Sequence, residues 1–257
     1  MFVDSHCHLD FPELAAELPA ILQRMAENQV GHALVVSVNL ADWPRLLELV
    51  APHEHLYASV GVHPDYEDTQ EPDTAGLVAM AQHPKVVAIG ETGLDYYRLA
   101  EPLDWQRERF RVHIRASAAS GLPLIIHTRS ASADTLRIMR EEGATCGVMH
   151  CFTESWEVAR QAMDLGFYIS LSGIVTFKKA VELQEVAARL PLERLLIETD
   201  SPYLAPVPYR GKLNDPSKVV HVAAKIAEIK GISVEEVAAR STENFFNLFS
   251  KIKRHDS

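Results

Sequence analysis

LLIETDSP (195–202) is a short apolar run that stops at two carboxylates, Glu198 and Asp200. The same grammar recurs in VDSHCHLD (3–10), VVAIGETGLD (86–95), LPLIIHTR (122–129) and GVMHCF (147–152). Each run is apolar and rich in β-branched residues, as a buried strand is, and each ends in a residue able to bind a metal. The candidate ligands are His6, His8, Glu91, His127, His150 and Asp200. A parallel barrel carries all its strand C-termini on one face, so these distant residues would converge in one pocket. Four imidazoles and two carboxylates are costly to bury together without a cation, and they suit a pair of divalent ions.

Working outward, HALVVSV (32–38), LYASVGV (56–62) and FYISLSG (167–173) supply three more strands. Amphipathic stretches separate the runs. The pattern predicts helices over 12–29, 42–51, 73–82, 102–120, 131–142, 155–165, 178–190, 216–230 and 233–249. The first carries Leu14, Leu18, Ile21, Leu22 and Met25 on one face. Eight strands, each followed by a helix, with no linker or low-complexity segment, predict a single (β/α)8 barrel domain over 1–257. A doubly wound open sheet has the same rhythm. It would not gather the ends of strands one, four, five, six and eight around one point.

Bulk properties narrow the function. The 257 residues are 47% hydrophobic, enough for a sizeable core, and carry a formal net charge of −10. That charge is unlike a protein that coats long nucleic acid through a basic surface, but it permits contact confined to a strand end in a metal-bearing pocket. No run is long and apolar enough to span a membrane, and Asp4 and Asp10 stand where a signal peptide would be basic and then apolar. The sparse cysteines, Cys7, Cys146 and Cys151, argue against a disulfide framework and fit a cytoplasmic protein. No membrane contact and no obligate protein partner are expected.

The local chemistry sorts the candidates. His6 and His8 are two apart on a strand, so both point one way and Cys7 the other, as a packing residue. Glu91 directly follows a buried run and needs a cationic partner; no lysine stands at the strand ends, which leaves Glu91 as the natural bridge between two ions. Asp95 reads as a cap or loop-shaping residue. Glu198, deeper than Asp200 on the same side of the strand, could orient a ligand from behind. Asp200 is placed to bind a metal and to orient or deprotonate a water. His63 could contact a phosphate oxygen or a leaving group, or shape the loop before Pro64. The loop SPYLAPVPYRGKLNDP (201–216) offers Tyr209, Arg210 and Lys212 as phosphate donors.

DSHCHLD, GETGLDYY, the IIHTR and MHCF strand ends, FYISLSGIVTFK, LLIETDSPYLAPVPYRGKLNDP and TENFFNLF together resemble the TatD family of metal-dependent deoxyribonucleases, an amidohydrolase-like group of TIM barrels. The resemblance spans 1–250. It implies that His6, His8, Glu91 and Asp200 hold one ion, that Glu91, His127 and His150 hold the other, and that His63 and the Tyr209–Lys212 loop touch the nucleotide. The expected activity is phosphodiester hydrolysis at the 3′ end of single-stranded DNA, or of RNA. The ions would be Zn, Mn or Mg, with histidine-rich sites favouring the transition metals. The alternative is a small-molecule phosphoesterase, lactonase or amidohydrolase on the same metal site.

Overall fold

In a computed structural model that describes residues 1–99 and 103–253, the chain forms one eight-stranded parallel sheet. Strands β1 (Phe2–Cys7), β2 (Val30–Val35), β3 (Leu56–Val60), β4 (Val86–Asp95), β5 (Leu124–Arg129), β6 (Gly147–Met149), β7 (Tyr168–Leu171) and β8 (Leu195–Ile197) pair in sequence order. A parallel bridge between Cys7 and Ser201 ties the segment after β8 to the end of β1, so the sheet curls into a nearly closed barrel. Around it run α1 (Pro12–Ala15), α2 (Leu18–Glu27), α3 (Trp43–Val50), α4 (Thr74–Met80), α5 (Asp104–Ser120), α6 (Ser132–Glu141), α7 (Trp156–Asp164), α8 (Val181–Arg189), α9 (Val219–Lys230) and α10 (Val234–Leu248).

Three expected boundaries change. The helix expected over 12–29 is two, because the Pro19 ring cannot follow the carbonyl of residue 15 in a continuous helix and instead occupies the first turn of α2. The helix expected over 216–230 begins as a 3-10 turn, Pro216–Lys218, whose entry is capped by the Asp215 side chain. The sheet pairing of β6 and β8 stops before His150 and Asp200, where left-handed backbone at Cys151 (φ 42°) and Asp200 (φ 53°) ends the extended run. Of the helix expected over 102–120, residue 102 lies outside the described residues, as do residues 254–257.

The alternation of a strand divides the core into two layers. Val3, Leu34, Val87, Ile125, Val148 and Leu196 point into the barrel, and Phe245, Leu248 and Phe249 of α10 pack against the same interior cluster. Their neighbours Val35, Val86, Ile126, Met149 and Ile197 face outward and pack under the helices. Burying both faces is why the strands read as continuous apolar runs.

Two irregularities aim the site residues. One extra residue on β1, between the pairs Asp4–Ala33 and Cys7–Val35, exchanges the faces of that strand. Cys7 then falls in the outer layer, and His6 and His8 face the barrel mouth. A second extra residue, on β4 between the pairs Ile89–Leu124 and Thr92–Ile126, does the same for Glu91. Gly90 sits in this bulge with φ 144°, and a Cβ there would lie 2.6 Å from Ile125 O. Only glycine fits so close an approach.

Candidate metal centre

The strand ends surround a cavity of about 540 Å³. Glu91 lies at its floor, buried, and divides its two oxygens. Oε2 is 3.3 Å from His6 Nε2. Oε1 is 2.7 Å from His150 Nε2 and 3.3 Å from both His127 Nδ1 and His63 Nε2. Asp200 Oδ1 lies 3.5 Å from His8 Nε2 and 3.7 Å from His6 Nε2. The His6 and His150 rings stack with centroids 3.9 Å apart. Three donor groups emerge, each compact enough for one cation: His6 with His8 and Asp200, His6 with Glu91 and His150, and His63 with Glu91 and His127.

Three of the inward imidazoles are fixed from behind. His8 Nδ1 lies 3.1 Å from the carbonyl of Val36, His127 Nε2 lies 3.1 Å from Asp95 Oδ2, and His150 Nδ1 lies 3.3 Å from Glu198 Oε1. With the outer N–H donating to that oxygen, a neutral ring turns the lone pair of its inner nitrogen toward the centre. Glu198 also accepts from the backbone N–H of Cys151 at 2.7 Å and so holds the turn that carries His150.

The electrostatics favour a cation. Burial opposes charge on Glu91, but the nearby His150, His63 and His6 hold its carboxyl well below the usual carboxylate range. Burial likewise opposes a charged His150, and Glu91 with Glu198 overcomes it, raising that imidazole well above its ordinary value. His63 is driven the same way, to about 9, because Glu91 and Asp65 outweigh its burial. Asp200 is held low despite burial by its bond with His8 and by the charges of His6 and His150. His6 is lowered, first by burial and then by the neighbouring His150. Protons and metal ions compete for such a field, and a metal displaces the protons.

The donors fit a divalent metal. His150 Nε2, though 2.7 Å from Glu91, lacks hydrogen-bond alignment with it, and this atom is buried without a hydrogen-bond partner. Buried polar atoms are rarely left so, and a lone pair aimed at carboxylates suits coordination. Imidazole nitrogens mixed with carboxylate oxygens are the donor set of zinc, manganese and related ions.

The structure brings His6, His8, Glu91, His127, His150 and Asp200 into one pocket, with Glu198 behind His150. It also places His63 against Glu91, inside a donor group rather than only at the substrate edge. Asp95, expected to shape a loop, does so through Tyr97 and Arg98 while also contacting His127. Tyr209, Arg210 and Lys212, expected at the nucleotide, lie outside the lining of the cavity itself. Arg210 lies over the Phe177 ring, and Lys212 and Lys218 lie over the Tyr209 ring, so the loop packs on its neighbours beyond the pocket. Tyr203 and Leu204 are its contribution to the cavity, joined by Phe11, Tyr66, Arg98 and Arg129. The HTR sequence did carry a signal for Arg129, two residues past His127 and therefore on the same side of the strand.

Comparison with known proteins agrees. A family profile described as TatD-related DNase matches residues 3–250. The chain is 47% identical to YcfH of Escherichia coli, named an uncharacterized metal-dependent hydrolase, over 96% of this chain and 95% of that protein. It is 44% identical to YabD of Bacillus subtilis, also named an uncharacterized metal-dependent hydrolase, over 97% of this chain and 99% of the relative. The crystal structure of YjjV, a TatD homologue from Escherichia coli, superposes with a TM-score of 0.91 at 31% identity, covering 97% of this chain and 98% of that one. The chain belongs to the TatD family of metal-dependent hydrolases.

Proposed function

We propose that the protein hydrolyses phosphodiester bonds at the 3′ end of single-stranded DNA, or of RNA, as a cytoplasmic enzyme with two divalent ions. The observation that carries this reading is the division of Glu91, with one oxygen toward His6 and the other toward His150 and His127. His6, His8, Glu91 and Asp200 would hold one ion, and Glu91, His127 and His150 the other. Bound divalent ions supply Lewis-acid activation of water and neutralise charge on a phosphoryl group. The description of the matched family as related DNases supports a nucleic-acid substrate. The net charge of −10 supports contact with a strand end over contact along a duplex. The free cysteines fit a reducing compartment.

The side chains divide the work. Asp200, ionised and partly open to the cavity, accepts a proton from the attacking water at the carboxylate oxygen turned away from His6 and His8. The water oxygen forms a bond to phosphorus as the bond to the leaving oxygen breaks. His63, held by Asp65 at the wall of the cavity, gives a proton to that oxygen. Glu198 and Asp95 keep His150 and His127 oriented throughout.

End-labelled single-stranded DNA incubated with metal-loaded enzyme should shorten stepwise from the 3′ end, and a chelator should stop it. Elemental analysis should approach two ions per chain, and saturation at one would count against the bridging role of Glu91. The cavity volume of about 540 Å³ also falls within the range of small-ligand sites, which favours a phosphoesterase, lactonase or amidohydrolase as a second reading. Turnover of a lactone or small phosphate ester with oligonucleotides left intact would select it.

A further inference from the structure

We propose that Arg129 seats a second phosphate of a nucleic-acid strand whose scissile phosphate lies at the metal centre, while Phe11 and Tyr203 stack its terminal base. This inference rests on the nuclease reading above and names the residues that would make it selective for a strand.

The parity of β5 aims Arg129. Ile125 points into the barrel interior, so His127 and Arg129 share its face. Arg129 therefore follows a metal-site histidine on the same wall, about 7 Å farther out at roughly 3.3 Å per residue. That is the scale of one nucleotide step. The side chain is partly buried, lines the cavity, and lies over the Tyr97 ring at 3.9 Å. Its guanidinium has no ion pair or hydrogen bond among the described residues, whereas the neighbouring Arg98 is tied to Asp65 at 2.6 Å. A cation held over an aromatic face, in a chain with net charge −10, keeps its planar fork for an anion. Phosphate matches that fork with two parallel hydrogen bonds.

The opposite wall is aromatic. In the order of the sheet, β1 and β8 lie across the barrel from β5. Phe11, after β1, stacks on His8 with centroids 4.8 Å apart and planes 20° from parallel. Tyr203, after β8, meets Phe11 edge-on at 6.3 Å and remains 56% exposed. A large aromatic left open at the rim of a cavity is a platform for a base, whose π-face stacks without regard to sequence. A strand end entering between the walls has its base on the aromatic side and its next phosphate on the arginine side. A small phosphate ester reaches the metal centre but not Arg129.

The test is the ratio of kcat/KM on a short single-stranded oligonucleotide to that on bis(p-nitrophenyl) phosphate, which has one phosphodiester and no second phosphate. In metal-loaded R129A this ratio should fall about tenfold or more, through KM, as for a lost charged hydrogen bond. R129K should recover part of it, because the charge returns without the fork. Y203A should lower oligonucleotide kcat/KM about fivefold or more, and Y203F should restore it. Melting curves and metal content identify any variant that fails to fold, in which case the remaining variants carry the same ratio. An unchanged ratio in folded R129A or R129K overturns the phosphate seat while the nuclease reading stands. A wild-type enzyme that cleaves the small diester but ignores oligonucleotides overturns both.

Discussion

Asp95 joins the metal centre to the substrate wall: its Oδ2 lies 3.1 Å from His127 Nε2, while its Oδ1 accepts from the backbone N–H groups of Tyr97 and Arg98 at 3.0 and 3.1 Å. One buried carboxylate thus orients a metal-site imidazole and fixes the turn whose Tyr97 ring supports Arg129. Burial raises its pKa, but His127 and the two backbone donors more than reverse this and hold it at about 2. It is therefore ionised at neutral pH.

Asp95→Asn keeps the size and removes the charge. The ring of His127 loses its anionic acceptor, so metal affinity should fall roughly 10- to 100-fold, the usual effect of losing such a partner. Titration with chelator-buffered zinc or manganese measures it. Wild-type affinity in the variant would mean that packing alone orients His127.

The convergence of the candidate donors is legible because chemistry and position coincide in the sequence. His6, Glu91, His127, His150 and Asp200 each close an apolar run, and a parallel barrel gathers such ends. The bulges in β1 and β4 were not legible, since one extra residue leaves no compositional mark beyond Gly90. The loop after β8 is harder to read. Its Arg210 and Lys212 are suitable phosphate donors, but the direction of a loop depends on what it packs against, here Phe177 and Tyr209. Strand alternation alone places Arg129 beside His127, although Arg210 and Lys212 are the more conspicuous charges. The break between α1 and α2 was readable from Pro19, whose ring outweighs the continuous apolar face of Leu14, Leu18 and Ile21.

Gly93 is the second glycine that the site requires. Its φ is 132°, and a Cβ would lie 2.0 Å from the carbonyl oxygen of His127. Gly93→Ala must either push β5 away or abandon its own backbone conformation. The expected cost is more than about 2 kcal/mol, in the range of mutations that combine overpacking with backbone strain. Chemical denaturation of the metal-free proteins measures it. Metal affinity should fall in parallel, because the strand that moves carries His127. A variant of wild-type stability would show that β4 and β5 separate more easily than their close approach implies.

Acid should weaken the fold through His113, away from the metal centre. This imidazole is fully buried on α5, with Nε2 accepting from the N–H of Val62 at 3.0 Å and Nδ1 lying 2.8 Å from the carbonyl of Arg109. Burial lowers its pKa to about 4, against an ordinary value of 6.5. The folded state therefore binds the proton less well than the unfolded chain. The stability from neutral His113 is complete above about pH 6.5 and is lost as pH falls toward 4, at about 1.4 kcal/mol per pH unit within that window. His113→Gln retains an acceptor for Val62 without titrating. Its unfolding free energy should fall less steeply than wild type between pH 6.5 and 5, by about 2 kcal/mol over the interval. Parallel pH profiles for the two proteins would place the acid sensitivity elsewhere.

Asp200 separates catalysis from folding. Its φ of 53° is left-handed, a conformation that asparagine adopts readily, so Asp200→Asn should leave the turn after β8 intact. The backbone bond from its N–H to the carbonyl of His6, at 2.9 Å, does not depend on the side-chain charge. The change removes the proton acceptor and one anionic donor facing His6 and His8. Turnover on single-stranded DNA should fall by about 100-fold or more, the scale of general acid–base help. The melting temperature of the metal-free protein should stay close to wild type. Measuring turnover at saturating metal distinguishes a lost proton acceptor from a merely weakened ion. If saturating metal restores full turnover, Asp200 serves only as a ligand and the proton leaves by another route.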